Sequence, residues 1–367
     1  MASEMTGRVA PRSALYDTIE TQPAVVRAGL ERWGEAAARA AETLVGARRV
    51  YLAGTGTSSH AAIVGEYLLR LAGLEATATT NFDFVSYPRP FGPDDALIAI
   101  SHRGSKRYGN RAIARAHAAG ARIIGITGQD SPMEGADVVI ATAPQEKSAT
   151  HTASYTANLA ALALIAVAAG ERTGVDVAPL RAALLSVPAA IETLLGHEDA
   201  VRAVAEVLAT RRRLILAGAG PNAATAREGA LKVKESSYLA AEGFELETAL
   251  HGALQAVEEG DVAVVIAANG PATERTADLV RALDLIGARL LVVADERALA
   301  SLPAPGDLST TPTVIPFAPV PEALSPILAV VPLQLLAALT AALVGTDADS
   351  FRADDPTYKR VNASYEL

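Results

Sequence analysis

The chain is 367 residues long, half of them apolar and only 4% aromatic, with no cysteine and a formal net charge of −9. That length accommodates two or more domains around a substantial core, and the absence of cysteine excludes disulfides, thiolate nucleophiles and cysteine metal sites. No basic cluster is long enough to present a nucleic-acid surface, so no nucleic-acid partner is expected. No charged n-region followed by an apolar stretch opens the sequence, and a cytoplasmic location is the expectation.

In chain order, a helical lead-in is predicted over roughly Leu15 to Leu44, within residues 1–46. The stretch LAGTGTSSHAA (Leu52–Ala62) then reads as the end of a short apolar strand and a turn with two glycines; four of the five residues from Thr55 to Ser59 carry hydroxyls. DALIAISHRG from Asp95, GARIIGITGQD from Gly120 and ADVVIATAP follow as strand-bearing blocks, and an apolar helix over Tyr155–Gly170 closes the unit 47–175. A helical linker covers Ala178 to Thr210, within 176–210.

The same blocks then recur. RRLILAGAGPNAATA from Arg212 answers RRVYLAGTGTSSHAA from Arg48 at an offset of 164, DVAVVIAANG from Asp261 answers at 166, and GARLLVVADE from Gly287 at 167. PTVIPFAP answers the fourth block, and an apolar helix over Ser325–Gly345 closes the unit 211–346. Blocks in one order at nearly constant offset mark an internal duplication. The strands are continuous apolar runs, as expected of parallel strands covered on both faces. Each half therefore reads as four strands alternating with four helices. The expectation is an α/β chain of two tandem doubly wound parallel-sheet domains, each a three-layer αβα unit, followed by an irregular tail over 347–367. The two long apolar helices carry Asn158 and Pro326, Pro332, Gln334 and lack flanking Lys/Arg bias, so they are predicted as buried core helices and no membrane partner is expected.

Ligands of such sheets sit outside the carboxyl ends of the strands. Loops Gly54–Ser59, Ser101–Lys106 and Thr127–Asp130, with the helix entry Lys147–Thr156, are rich in Ser, Thr or Gly, whereas their second-half counterparts are poor in hydroxyls. Hydroxyls and free amides at helix N-termini favour an anion. Gly54 and Gly56 match the first two glycines of G-x-G-x-x-G, but Ser59 stands where the third belongs, and no lysine makes a phosphate loop of the Walker type. Each hydroxyl singly also reads as a helix cap. The six histidines are scattered, without helical or turn pairing, so no zinc or iron site and no cofactor are expected.

In the second half, Glu228, Lys232 and Glu235 fall at i, i+4, i+7 on one helix face, which reads equally as a solvated ion-pair stripe. His251 follows in an apolar context. Only five lysines accompany 27 arginines, and one of them, Lys359, lies in the tail; a lysine amine can form a Schiff base where arginine cannot.

Together these residues resemble the sugar isomerase (SIS) domain proteins, and most closely the tandem isomerase half of glucosamine-6-phosphate synthase. The resemblance runs from DTIETQPAVVRAGL (Asp17–Leu30) to VPLQLLAALTAALVGTDAD (Val331–Asp349), with EGALKVKESSY (Glu228–Tyr238) its most specific block. It implies a small anionic sugar substrate whose phosphate is held by Thr57, Ser58, Ser101 and the amides around Gly104. The candidate binding set is completed by Gly56, His102, Arg103, Ser105, Lys106, Thr150 and Lys232. Glu235 matches the base that moves a proton between C1 and C2, and His251 the ring-opening histidine, supplied across a homodimer interface with sites shared between subunits. Lys359 is the tail lysine available for a Schiff base with the keto sugar. The family loop Ser-Gln-Ser-Gly-Glu-Thr is here Ser101-His102-Arg103-Gly104-Ser105-Lys106, with two added cations. No glutamine-hydrolysing segment precedes the lead-in, so free ammonia, a separate ammonia donor, deamination or plain isomerisation is expected rather than glutamine hydrolysis by this chain. The alternatives are an isomerase of a sulfonated or carboxylated sugar and a non-catalytic phosphosugar sensor.

Overall fold

The computed structural model describes residues 13–104, 106–211 and 213–365. Helix α1 (Ala14–Arg32) starts at Ser13, whose hydroxyl accepts from the Tyr16 amide at 3.2 Å, and α2 (Gly34–Leu44) follows Trp33. The first two amides of α1, on Ala14 and Leu15, donate to the two carboxylate oxygens of Asp349, each at 2.8 Å. A residue of the C-terminal tail thus satisfies orphan donors of the first helix.

The first half then runs β1 (Arg49–Gly54), α3 (Thr57–Leu71), β2 (Ala76–Thr80), α4 (Asn81–Ser86), β3 (Asp95–Ser101), α5 (Arg107–Ala118), β4 (Arg122–Thr127), β5 (Val138–Ala141) and α6 (Ala153–Thr173). Helices α7 (Ala178–Leu195) and α8 (Glu198–Arg211) form the connection. The second half runs β6 (Arg213–Gly218), α9 (Asn222–Ser237), β7 (Ala240–Glu245), α10 (Leu246–Leu250), β8 (Val262–Ala267), α11 (Thr273–Ile286), β9 (Arg289–Asp295), β10 (Thr313–Phe317) and α12 (Pro326–Val344).

Each half contains one five-stranded sheet with every pairing parallel, in the orders β2-β1-β3-β4-β5 and β7-β6-β8-β9-β10. The two orders are the same doubly wound order, as the duplication predicts. The central strands are buried almost throughout, which is why they read as unbroken apolar runs. The expectation of four strands per half is corrected to five. The strands that escaped notice, β2 (ATATT) and β7 (AAEGFE), are edge strands covered on one flank only, with half-exposed Thr and Glu in place of an apolar run.

The two long apolar helices lie inside the fold. For Ala153–Thr173 and for Glu322–Val344, 94% and 83% of the most apolar window is buried; α7 has comparable length and composition and is 33% buried. At the crossing of the lead-in with both halves, Gln22 Nε2 donates to Gln334 Oε1 at 2.8 Å, and Gln334 Nε2 to the Thr152 carbonyl at 3.4 Å. The Gln334 amide is thereby engaged through both its oxygen and its nitrogen, and Gln22 is engaged through its nitrogen.

The irregular tail is a second correction. Its residues form helix α13 (Pro356–Ala363), with Asp355 accepting from the Thr357 amide at 2.8 Å and Pro356 in the first turn. None of its eight residues is buried, so no apolar periodicity announces it.

Candidate active site

In a sheet of this order the crevice for ligands opens where β1 and β3 diverge. The loop after β1 turns through Gly56, whose φ of +58° favours glycine, and delivers Thr57 and Ser58 to the first turn of α3. The loop after β3 turns through Gly104 at φ +69°, where a Cβ would lie 1.8 Å from the Pro132 carbonyl oxygen. Gly104 therefore fixes how closely the Ser101–Lys106 loop packs on its neighbour.

Helix α9 of the second half brings its charged face against this crevice. Glu228 and Lys232 are fully buried; Glu235 retains some exposure. The Lys232 ammonium has three donors and three acceptors: Glu235 Oε2 at 2.6 Å, Thr57 Oγ1 at 3.0 Å and Glu228 Oε1 at 3.4 Å. The Thr57 hydroxyl in turn donates to Glu228 Oε1 at 3.0 Å, and His60 Nδ1 lies 2.6 Å from Glu228 Oε2. The stripe is thus a buried network, not a solvated surface, and joins residues 171 positions apart. Burial alone would raise the Glu228 carboxyl; Lys232, His60 and Thr57 outweigh it and hold it below its ordinary value. Glu235 goes the other way. Its burial dominates over the stabilising Lys232 and raises the carboxyl above 4.5, the tuning expected of a proton-transferring group.

The β3 loop and the entry to α6 meet beside this network. His102, from the loop, and His151, preceding α6, stack edge to face with centroids 4.9 Å apart. Gly128 makes room for the first ring, since a Cβ there would lie 2.7 Å from His102 Cε1. Burial pushes His102 down to about 4 and His151 to about 3, with Arg103 adding to both shifts, so both imidazoles are neutral at pH 7. Glu146 lies with them and accepts the amides of Thr152 and Ser154, each at 2.8 Å.

Of the sequence-predicted residues, Thr57, Lys232 and Glu235 form one bonded cluster. Arg103 sits exposed on the loop, and it lies close enough to the half-buried Lys106 to help burial depress that amine. Thr150 is buried and commits its hydroxyl to the Ala348 carbonyl at 2.9 Å, tying the α6 entry to the tail. Ser105 lies outside the described residues. His251 is 71% exposed, with Nε2 2.9 Å from Glu247, itself paired with Arg275; none of these bonds reaches the cluster. Tail helix α13 borders a cleft of about 390 Å³ that Glu235 also lines, through Tyr358, Val361 and Asn362; Lys359 is exposed and lies off that face. Arg352 lies between the rings of Tyr238 and Tyr358, 4.2 and 4.4 Å from their centroids, and holds the tail there. The sequence reading did not single out His60, Glu146 or His151. His60 was recoverable, one helical turn beyond Thr57; the others become neighbours only through folding.

The solved structure of the C-terminal domain of glucosamine-fructose-6-phosphate aminotransferase from Francisella tularensis superposes with a TM-score of 0.84 at 20% identity, covering 92% of this chain and 98% of that one. Tagatose-6-phosphate ketose/aldose isomerase from Escherichia coli gives 0.73 at 20% identity, covering 94% and 96%. These likenesses concern the fold. In sequence, the glutamine-fructose-6-phosphate aminotransferase (isomerizing) of Gloeobacter violaceus is 33% identical over 356 residues, 93% of this chain and 58% of that protein. The chain spans a little over half the length of the curated relatives it matches. The SIS domain family model matches residues 43–169 and 207–303, one segment in each half, and the chain belongs to the SIS domain family.

Proposed function

We propose that the chain is an aldose/ketose isomerase of sugar phosphates. The observation that carries the reading is the Thr57–Glu228–Lys232–Glu235 cluster, in which one carboxylate is locked into an ion pair and the other is kept weakly acidic beside the anion loops. In this reading Thr57, Ser58, Ser101 and the amides near Gly104 hold the phosphate at the crevice. Glu235 takes the proton from one of C1 and C2 and returns it to the other. Lys232, at 2.6 Å, limits the basicity of Glu235 and fixes its position. His251 opens the ring from a partner subunit, which suits its exposed place on the surface; the working form is a homodimer. Plain isomerisation, or deamination that releases free ammonia, is favoured over Schiff-base amino transfer, because Lys359 lies off the cleft face of α13.

The test is isotope exchange. The protein is incubated in deuterated water with fructose 6-phosphate, with and without ammonia, and with glucosamine 6-phosphate, and exchange at C1 and C2 is followed by NMR. Exchange that survives Lys359→Ala and is lost in Glu235→Gln supports the reading. A sugar phosphate that binds without any exchange overturns it in favour of a sensor. Mixing Glu235→Gln with His251→Ala subunits restores activity if sites are shared, since each mixed dimer regains one intact pair. A second reading is favoured by Arg103 and Lys106: an isomerase whose sugar carries a sulfonate or carboxylate, detected by including such ketoses in the same assay.

A further inference from the structure

We propose that His102, Glu146 and His151 form a binding site for a divalent transition metal of the zinc class. Separated by 44 and 5 positions in the sequence, they converge so that one nitrogen from each imidazole and one Glu146 oxygen lie within 4.8 Å of one another. The second observation is His102 itself: 6% exposed, with neither ring nitrogen hydrogen-bonded. A buried polar side chain without partners is costly, and a metal bond supplies a partner to one of those nitrogens.

The surroundings are those of a prepared ligand set. The His102 backbone is clamped, its carbonyl accepting from the Gly128 amide at 2.9 Å, the Ser131 hydroxyl at 3.0 Å and Gln145 Nε2 at 3.4 Å. The origin of the ring is thereby fixed. Glu146 is oriented by Thr152 and Ser154: Oε2 accepts the Thr152 amide at 2.8 Å and the Thr152 hydroxyl at 3.4 Å, and Oε1 accepts the Ser154 amide at 2.8 Å, which leaves Oε1 the less engaged oxygen. Zinc-to-nitrogen and zinc-to-oxygen bonds of about 2.0–2.2 Å place tetrahedral ligand atoms about 3.4 Å apart, so ligand atoms within 4.8 Å of one another need an approach of about an ångström to enclose an ion. Two imidazoles and one carboxylate suit Zn²⁺, Co²⁺ or Ni²⁺ better than the hard ions Mg²⁺ and Ca²⁺. Three protein ligands leave one position open for water or an anionic oxygen, the pattern of reactive rather than structural zinc. The Glu146 charge and the engagement of Lys232 by two carboxylates offset the nearby cations. This site does not depend on the isomerase reading, and its test uses no sugar.

The chelator-treated full chain is titrated with Co²⁺ alone, following the visible d–d absorption, and then with Zn²⁺ in competition. The expected result is one ion per chain, with His102→Ala, His151→Ala and Glu146→Gln each weakening binding at least tenfold and His117→Ala and His197→Ala leaving it unchanged. Circular dichroism checks that each variant is folded. X-ray absorption of the Zn²⁺-loaded wild type requires no variant, and two imidazoles in the first coordination shell is the supporting outcome. No stoichiometric uptake by the wild type, a first shell without imidazole, or binding indifferent to both histidine changes overturns the proposal.

Discussion

Replacing Lys232 by methionine keeps an unbranched side chain of nearly the same length and removes the charge together with its three N–H donors. Lys232 is 1% exposed and, among the described residues, is the one cation bonded to both Glu228 and Glu235, with Thr57 as its third partner. Breaking a buried ion pair from one side costs about 3–5 kcal/mol, because the stranded carboxylates stay desolvated. With an unfolding entropy of about 2.1 cal/mol/K per residue over the whole chain, that loss lowers the melting temperature by about 4–7 °C. The pH dependence has a definite sign. In the wild type, Glu228 is held below its unfolded value, so its contribution is present above the unfolded pKa and is lost as pH falls through the folded one. Without Lys232, burial prevails and both carboxyls sit above their unfolded values, so the folded state binds protons more readily and gains stability as pH falls. The deficit of Lys232→Met is therefore largest near pH 8 and shrinks toward pH 5. Calorimetry or urea unfolding of both proteins across that range measures it. A deficit below about 1 kcal/mol, or one that grows on acidification, refutes the account of the cluster as a desolvated network.

Glu235→Gln is expected to reduce sugar exchange by about 10²–10⁴-fold, read by deuterium incorporation, while fold and ligand binding persist. In the wild type, the acid limb of the exchange rate falls above 4.5, because burial raises this carboxyl; a pH–rate profile locates the limb. Gly104→Ala forces a side chain into a left-handed backbone position against the Pro132 carbonyl, and urea unfolding should show a loss of about 1–3 kcal/mol or a rearranged loop with weakened anion binding. Asp349→Ala removes two helix-end bonds from α1 and should cost about 0.5–2 kcal/mol, with faster hydrogen exchange at Ala14 and Leu15 and easier proteolysis of the tail.

The duplication, the parallel sheets and the burial of α6 and α12 were legible because apolar runs encode two-sided burial directly. Strands β2 and β7 were not, since an edge strand of alanines and threonines, or one broken by Glu242, Gly243 and Glu245, has no apolar run to display. The tail helix was hidden for the related reason that it buries none of its own residues. Within the site, Thr57, Lys232 and Glu235 could be read because each sits in a marked loop or on a helix face. His102, Glu146 and His151 share neither an element nor a periodicity; only the packing of the β3 loop on the α6 entry makes them a group. Thr150 shows the converse, a hydroxyl in the right loop that folding spends on the Ala348 carbonyl.

The contact between Thr57 and Glu228 also bears on how such a chain can change over time. At the offset of 164, Thr57 corresponds to Pro221, while Glu228, Lys232 and Glu235 correspond to Val64, Leu68 and Leu71. Each copy thus lacks what the other carries: one has no hydroxyl at that turn, and the other is aliphatic at the positions of the charges. Recombination that swaps one half for its counterpart in a distant relative transfers half a network, and inherits an unmatched buried charge with it. The two copies, though built on one plan, are now obliged to be inherited together.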